Sequence, residues 1–440
     1  MPELLRFALP ALGISLAGPI LSNIDNAFVG RLCGPAQLAA LSPGSVVADY
    51  ILYLVVFLPR ATVGLVSRAA AKSVKAAQAE LVRALSVAMP LGVALSLVYI
   101  TCTEPLLRLL RVSPELLPYA AVYARIRGAM TWATLAQSVC LSALLANKDS
   151  VTPLKVVAIE ALANICGDFL LCAWPCHLGV AGAALATSFA TWLSFVLMLR
   201  ALRKTELLPK KWIRLPESAA YLAPLLEYAG PLLLVLLSRF LTLSAMALYA
   251  ASLGTTALAA YQVLINLYTL FGLFGEPLSQ AAQAMLPPLL EKKDVRGARR
   301  AMRSLLLLGL LFGLGAGSLA AMGALSGGLF SADPEVLQML KSLAPVLLLT
   351  VTALVFEYPV DGAMLATKNF KTLVALDVAG VMVQLPVMHA IAHNLKGQPG
   401  ALSWLMLTMY FRLAMLSVFC LARLWPSLLS RKLEVEKAAE

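Results

Sequence analysis

Apolar residues run along this chain in near-continuous stretches of about 20, separated by short polar clusters. A stretch of that length crosses the hydrocarbon of a bilayer as a helix, whereas a membrane strand would alternate polar and apolar positions over about ten residues. Twelve candidate spans are read at 5–30, 46–70, 84–103, 122–146, 154–175, 179–201, 229–252, 257–286, 303–326, 340–366, 372–393 and 401–425. The predicted fold class is all-α: an integral membrane protein of twelve transmembrane helices.

The spans repeat. Pro114, Glu115 and Leu117 recur 220 residues later as Pro334, Glu335 and Leu337, and Ala143, Leu145, Ala146 and Lys148 recur as Ala363, Leu365, Ala366 and Lys368. The same shift carries Leu38, Ala39 and Ala40 onto Leu258, Ala259 and Ala260. A repeat near half the chain length, on membrane-length segments, is the organisation of a secondary transporter built from two bundles around a central site. The Lys-, Pro- and Arg-rich stretch from Arg200 to Glu227 marks the joint. The expected organisation is an N-lobe at 1–203, a cytosol-side linker at 204–227, a C-lobe at 228–425 and a polar tail at 426–440. Six spans per lobe is an even number, so the second lobe enters with the orientation of the first and the repeats are parallel.

Composition agrees with the pattern: 60% of the 440 residues are hydrophobic and 13% charged, against about 25% charged in a soluble domain. The net charge of +12 raises the question of nucleic acid, but the basic residues are confined to particular loops. With the N-terminus inside, the inner loops and tails hold about 25 Lys and Arg, and the outer loops hold about five (Arg31, Arg108, Arg111, Lys341, Lys396). The tracts Arg200–Arg214 and Lys292–Arg303 therefore read as orientation signals in contact with anionic lipid. The expected partners are the bilayer and a small-molecule substrate, not nucleic acid, and the chain is expected to act as a monomer. Seven cysteines form a scattered set that reads as packing residues. Cys172, Cys176 and His177 are close in sequence, but zinc needs a fourth ligand that nothing nearby supplies, so no metal site is expected. The first span opens almost at Met1, so either it inserts the protein or a targeting segment has been removed.

A charge in the hydrocarbon costs at least about 2.5 kcal/mol, which makes every ionisable residue inside a span a site candidate. These are Asp25, Arg60, Glu160, Asp168, Arg239, Glu276, Glu357, Asp361 and Arg412, with Arg125, Arg127 and Asp377 nearer the ends. Asp25 and Asp168 lie at similar depth, roughly 8 to 9 Å below the outer ends of the first and fifth spans, so they can meet at one level. Asn164 is four residues before Asp168 and shares its helix face. Two buried carboxylates side by side hold a proton more readily than either alone in water, as a proton carrier requires. The alternative is a pair of helix–helix hydrogen bonds with no role in transport. Pro19, six residues before Asp25, reads as a gating bend. Arg60 follows Pro59 inside the second span, and Arg239 lies about 15 Å from the inner end of the seventh. These guanidiniums cannot deprotonate, so they either pair with Glu357 or Asp361 or line a positive cavity for an anionic solute. Arg60, Arg239, Glu357 and Asp361 are accordingly the expected substrate-binding set.

Asn23-Ile24-Asp25-Asn26-Ala27-Phe28-Val29-Gly30 followed by Leu38-Ala39-Ala40 resembles the first helix and loop of the multidrug and toxic compound extrusion family, MATE. Asn164-Ile165-Cys166-Gly167-Asp168 and Gly179-Val180-Ala181-Gly182-Ala183-Ala184-Leu185-Ala186-Thr187 resemble its fifth-to-sixth helix signature. Ala259-Ala260-Tyr261-Gln262-Val263 with Ser279-Gln280-Ala281-Ala282-Gln283-Ala284 resembles its eighth helix, and Tyr123-Ala124-Arg125-Ile126-Arg127 with Thr152-Pro153-Leu154 its fourth.

The resemblance implies two six-helix lobes, a V-shaped cavity and export driven by a proton or sodium gradient, with no other cofactor. It assigns Asp25, Asn164, Asp168 and Thr187 to the cation-coupling site. Sodium-coupled members also carry an acid in the seventh helix; Arg239 stands near that position, which argues against sodium binding in the C-lobe. Phe7-Ala8-Leu9-Pro10-Ala11-Leu12-Gly13, Gly18-Pro19, Leu41-Ser42-Pro43-Gly44 and Asp49-Tyr50 are most similar to the plastid branch of plants and algae, related to the bacterial DNA-damage-inducible F proteins. That branch includes exporters linked to salicylic acid and its precursors. It implies organic anions such as aromatic carboxylates as substrates and a plastid envelope as the membrane, with a plasma membrane or a bacterial inner membrane as alternatives.

Proton coupling is expected over sodium, because two carboxylates and an amide bind a proton without the oxygen cage a metal ion prefers. The alternative solute class is lipophilic cations. A major facilitator transporter would carry a charged loop signature where this chain has Ser67-Arg68-Ala69-Ala70-Ala71-Lys72. An intramembrane enzyme would need a clustered nucleophile or metal set, and the only histidines are His177, His389 and His393. A channel would present a ring of like residues. The reading is a secondary transporter, not an enzyme.

Overall fold

The computed structural model describes residues 2–173, 176–210, 212, 219–398, 400–424 and 426. The side chains of Asp49 and Tyr50, much of the expected linker (211 and 213–218) and the tail from 427 lie outside the described residues. All regular structure among the described residues is helical, in twelve successive rods. These are α1 (Pro2–Leu32), α2 (Pro35–Leu54 and Phe57–Ala70), α3 (Val74–Leu109), α4 (Leu117–Ala129 and Thr131–Ala146), α5 (Val151–Asp168, continued by a π-turn at Phe169–Ala173) and α6 (Val180–Lys204). They continue with α7 (Ala219–Ser252), α8 (Thr255–Gly272 and Glu276–Glu291), α9 (Val295–Leu325), α10 (Pro334–Ala366), α11 (Phe370–Asn394) and α12 (Ala401–Leu424).

Nine helices among the described residues are long and apolar enough to cross a membrane as they stand, and ten if the bent α4 counts as one. The other two rods have physical reasons for falling short. The α-helical part of α5 is only 18 residues and carries Lys155, Glu160 and Asp168. α2 is broken where Pro59, lacking an N–H, cannot bond the Val55 carbonyl, and that carbonyl accepts from Leu58 at 3.1 Å instead. Pro277 has the same effect in α8, where the chain makes three-residue turns from Leu273 to Glu276. Leu9, Leu162, Leu248, Met382 and Val418 point outward from their rods, as apolar side chains do toward lipid.

The 220-residue repeat is present in the backbone itself. Lys148 and Lys368 both adopt the left-handed conformation (φ 63° and 56°) just past a helix end. At the first, Asp149 N–H donates to Leu144 O at 3.1 Å; at the second, Asn369 N–H donates to Met364 O at 2.9 Å. This is the same helix stop used twice. Gly34 and Gly254 also share a positive φ (90° and 124°) at the turns into α2 and α8.

The rods group into two compact units, residues 16–229 and residues 230–440 together with 1–15. The division differs from the expected lobes at the N-terminus, where α1 is divided after Ser15. Pro19 is four residues further on and cannot bond the Ser15 carbonyl, so the change of unit falls where that helix lacks a backbone hydrogen bond. The α7 helix begins at Ala219, ten residues before the expected start, so Arg239 lies about 30 Å along it rather than 15 Å.

Candidate functional site

In the first unit, α1, α5 and α6 bring Asp25, Asn164, Asp168 and Thr187 together. Close approach of α5 to α6 is possible because Gly167 has no side chain: a Cβ there would stand 2.8 Å from that of Ala186. Asn164 Nδ2 donates to Thr187 Oγ1 at 3.2 Å, and that hydroxyl lies 3.4 Å from Asp25 Oδ2 and 2.9 Å from Ala183 O. The Asp25 and Asp168 carboxyl groups act on one another electrostatically. Asp25, Asn164 and Asp168 are all buried.

The donor count is what makes this a site. Asp25 Oδ1, Asn164 Oδ1 and both Asp168 carboxyl oxygens are buried and receive no hydrogen bond. Thr187 has a single hydroxyl proton, and the Ala183 carbonyl competes for it. A buried acceptor with no donor costs about 1–3 kcal/mol, more when charged. Such a set is suited to a guest that brings positive charge: a proton shared between the carboxyls, or a small cation.

Arg127, on α4, adds a charge that acts on Asp25. Its Nη1 lies 3.3 Å from Tyr123 Oη, and its guanidinium carbon stands 5.7 Å from the Tyr123 ring centre. The sequence placed Arg127 near a span end and gave it no role. Its position one turn after Tyr123 was the available signal.

In the second unit, Arg239 Nη2 bridges Glu357 Oε1 at 2.8 Å and Asp361 Oδ2 at 2.6 Å. The pairing alternative of the sequence reading is therefore realised, with both acids at once. Glu357 and Asp361 share a face of α10, four residues apart. Beside them Arg412 Nη1 pairs with Asp377 Oδ1 at 2.9 Å, and the Ser238 hydroxyl bonds the same carboxylate. Three carboxylates and two guanidiniums leave this buried group with one formal negative charge, and Glu357 Oε2 receives no hydrogen bond. Arg60 belongs to the first unit, half-buried on α2 beside Pro59. Pro19 is within continuous α1, and its carbonyl accepts from Asn23 Nδ2 at 2.9 Å.

The family model MatE matches residues 10–170 and 231–389, so it falls on both halves of the repeat. Over 382 residues the chain is 31% identical to Protein DETOXIFICATION 47, chloroplastic, of Arabidopsis thaliana, covering 84% of this chain and 69% of that protein. It is 28% identical over 268 residues to DNA damage-inducible protein F of Escherichia coli, covering 60% of this chain and 58% of that one. Among solved structures, the Vibrio cholerae MATE transporter VcmN in its bent form superposes with a TM-score of 0.84 over 97% of this chain and 98% of that one. At 20% identity that likeness concerns the fold. The twelve rods, the duplicated helix stops and the family match over both halves agree: this chain belongs to the MatE family and is a multi-pass membrane transporter of the multidrug and toxic compound efflux type, not an enzyme.

Proposed function

We propose that the chain is a proton-coupled antiporter that exports small organic solutes, with Asp25, Asn164, Asp168 and Thr187 as the proton-binding group and no cofactor beyond the coupling ion. The observation that carries this reading is the cluster of buried acceptor oxygens with no donor around the Asp25–Asp168 pair. Two neighbouring carboxyls hold a shared proton without the closed oxygen cage that a metal ion prefers, and the amide and hydroxyl beside them complete its surroundings. The two units act as the lobes, in a monomer, and Pro19 supplies the bend of α1. The plastid envelope is the membrane we infer, supported by similarity to chloroplastic relatives.

For the solute, the first reading is an organic anion such as an aromatic carboxylate. It would engage Arg239 by exchanging with Glu357 or Asp361 for the bidentate guanidinium. A second reading, organic cations, is favoured by the negative charge left over in the Arg239 cluster. Uptake into proteoliposomes under separately imposed proton and sodium gradients, with salicylate and tetraphenylphosphonium as probes, tests both. Proton-driven salicylate uptake is the expected result. Sodium-driven flux at clamped pH contradicts the coupling reading, and transport of the cation alone contradicts the anion reading.

A further inference from the structure

α5 carries a third intramembrane acid. Glu160, Asn164 and Asp168 are spaced four residues apart, so they line one face of that helix, with Glu160 about 12 Å from Asp168 toward the end bearing Lys155. Gln137 on α4 donates to Glu160 Oε2 at 2.8 Å and to Ser194 Oγ at 2.8 Å. Thr191 and Ser194 on α6 stand near the Glu160 carboxyl. These partners from α4 and α6 are neutral, so no guanidinium or ammonium among them fixes Glu160 as a carboxylate.

Beside α6 lies a cavity of about 50 Å³, lined by Thr187 and Thr191 one helical turn apart, room for roughly three water molecules. Its lining residues include Thr131, Thr134, Thr187, Ser188, Thr191 and Arg127. Of these, the Thr187 hydroxyl stands beside Asp25 and the Thr191 side chain stands near Glu160. Each of these two hydroxyls can accept one proton while giving up another.

We propose that Glu160 is a second proton station, joined to the Asp25–Asp168 pair through the Thr187 and Thr191 hydroxyls and the water this cavity accommodates. A proton leaves the carboxyl pair for Thr187, which passes its own hydroxyl proton to the water chain. The chain protonates Thr191, and Thr191 releases its original proton to the Glu160 carboxylate. One carboxyl ends ionised and the other neutral, so charge and protons balance. The inference rests on the proton-coupled reading above.

The test uses the full chain in proteoliposomes, in wild-type, Asp168→Asn, Glu160→Gln, Glu160→Asp and Thr191→Val forms. One arm measures salicylate uptake driven by a pH gradient. The other follows carboxyl protonation by infrared difference spectroscopy after a pH jump and needs no solute. Glu160→Gln and Thr191→Val are expected to slow both signals by about two orders of magnitude, with Glu160→Asp largely preserving them. Salicylate binding in detergent is expected to be unchanged in all three. Wild-type rates in Glu160→Gln and Thr191→Val, with loss only in Asp168→Asn, overturn the relay and leave proton coupling standing. Wild-type behaviour in Asp168→Asn overturns both. Thr191→Val changes no charge, so it decides the matter should Glu160→Gln fail to fold.

Discussion

Asp25 and Asp168 come from helices far apart in sequence, and their buried carboxyl groups act on one another electrostatically while three of their four oxygens receive no hydrogen bond. Two anions cannot be held so without a compensating positive charge. Replacing either by asparagine supplies the missing N–H donors while removing the exchangeable proton. Asp25→Asn and Asp168→Asn are each expected to lower gradient-driven transport by about two orders of magnitude. Thermal unfolding in detergent is expected to be unchanged or raised. Uptake at the wild-type rate in either variant would refute their role.

The Arg412–Asp377 pair predicts a stability effect. Both side chains are buried, at 6% and 2% exposure, so removing one partner strands the other charge. Arg412→Gln should destabilise the protein by about 3–5 kcal/mol, and adding Asp377→Asn should restore much of that loss. Additive destabilisation in the double variant would show that the pair is not coupled.

Arg239 bridges two acids, which separates its structural role from solute recognition. If it engages a solute carboxylate, Arg239→Lys keeps the charge, loses the fork, and weakens salicylate uptake more than tetraphenylphosphonium uptake. If it serves only to neutralise Glu357 and Asp361, Arg239→Gln lowers both fluxes equally and is rescued by Glu357→Gln. Measuring both probes in both backgrounds distinguishes the two.

Pro19 stands four residues beyond the point where α1 is divided. Pro19→Ala restores a bond from that N–H to the Ser15 carbonyl and stiffens the helix. Slower turnover with unchanged solute binding is the expected outcome, read from initial rates and equilibrium binding. Unaltered turnover would remove the bend from the mechanism.

The helical fold was legible because burying a polar backbone in lipid leaves the sequence few choices. The repeat was legible through residues such as Pro114 and Pro334, although its most direct structural mark, the left-handed Lys148 and Lys368, is invisible as composition. Asp25 and Asp168 could be paired from depth alone, since an acid in hydrocarbon is conspicuous. Thr187 was reached only through the family resemblance, because a threonine inside an apolar span is unremarkable by itself. The Glu160 group was readable in part from the four-residue spacing on α5. Its partners Gln137, Thr191 and Ser194 come from two other helices whose facing no sequence pattern fixed. The break in α2 was missed although Pro59 was noted, since proline in a membrane helix as often bends as breaks it.

Proton movement itself tests the central claim most directly. Proteoliposomes carrying a trapped pH-sensitive dye, with membrane potential clamped and sodium absent, are given an outward salicylate gradient, and internal pH is followed in wild type and Asp168→Asn. The account predicts proton counterflow in step with salicylate in the wild type and neither flux in the variant. Salicylate flux without a pH change, or counterflow that persists in Asp168→Asn, would contradict it.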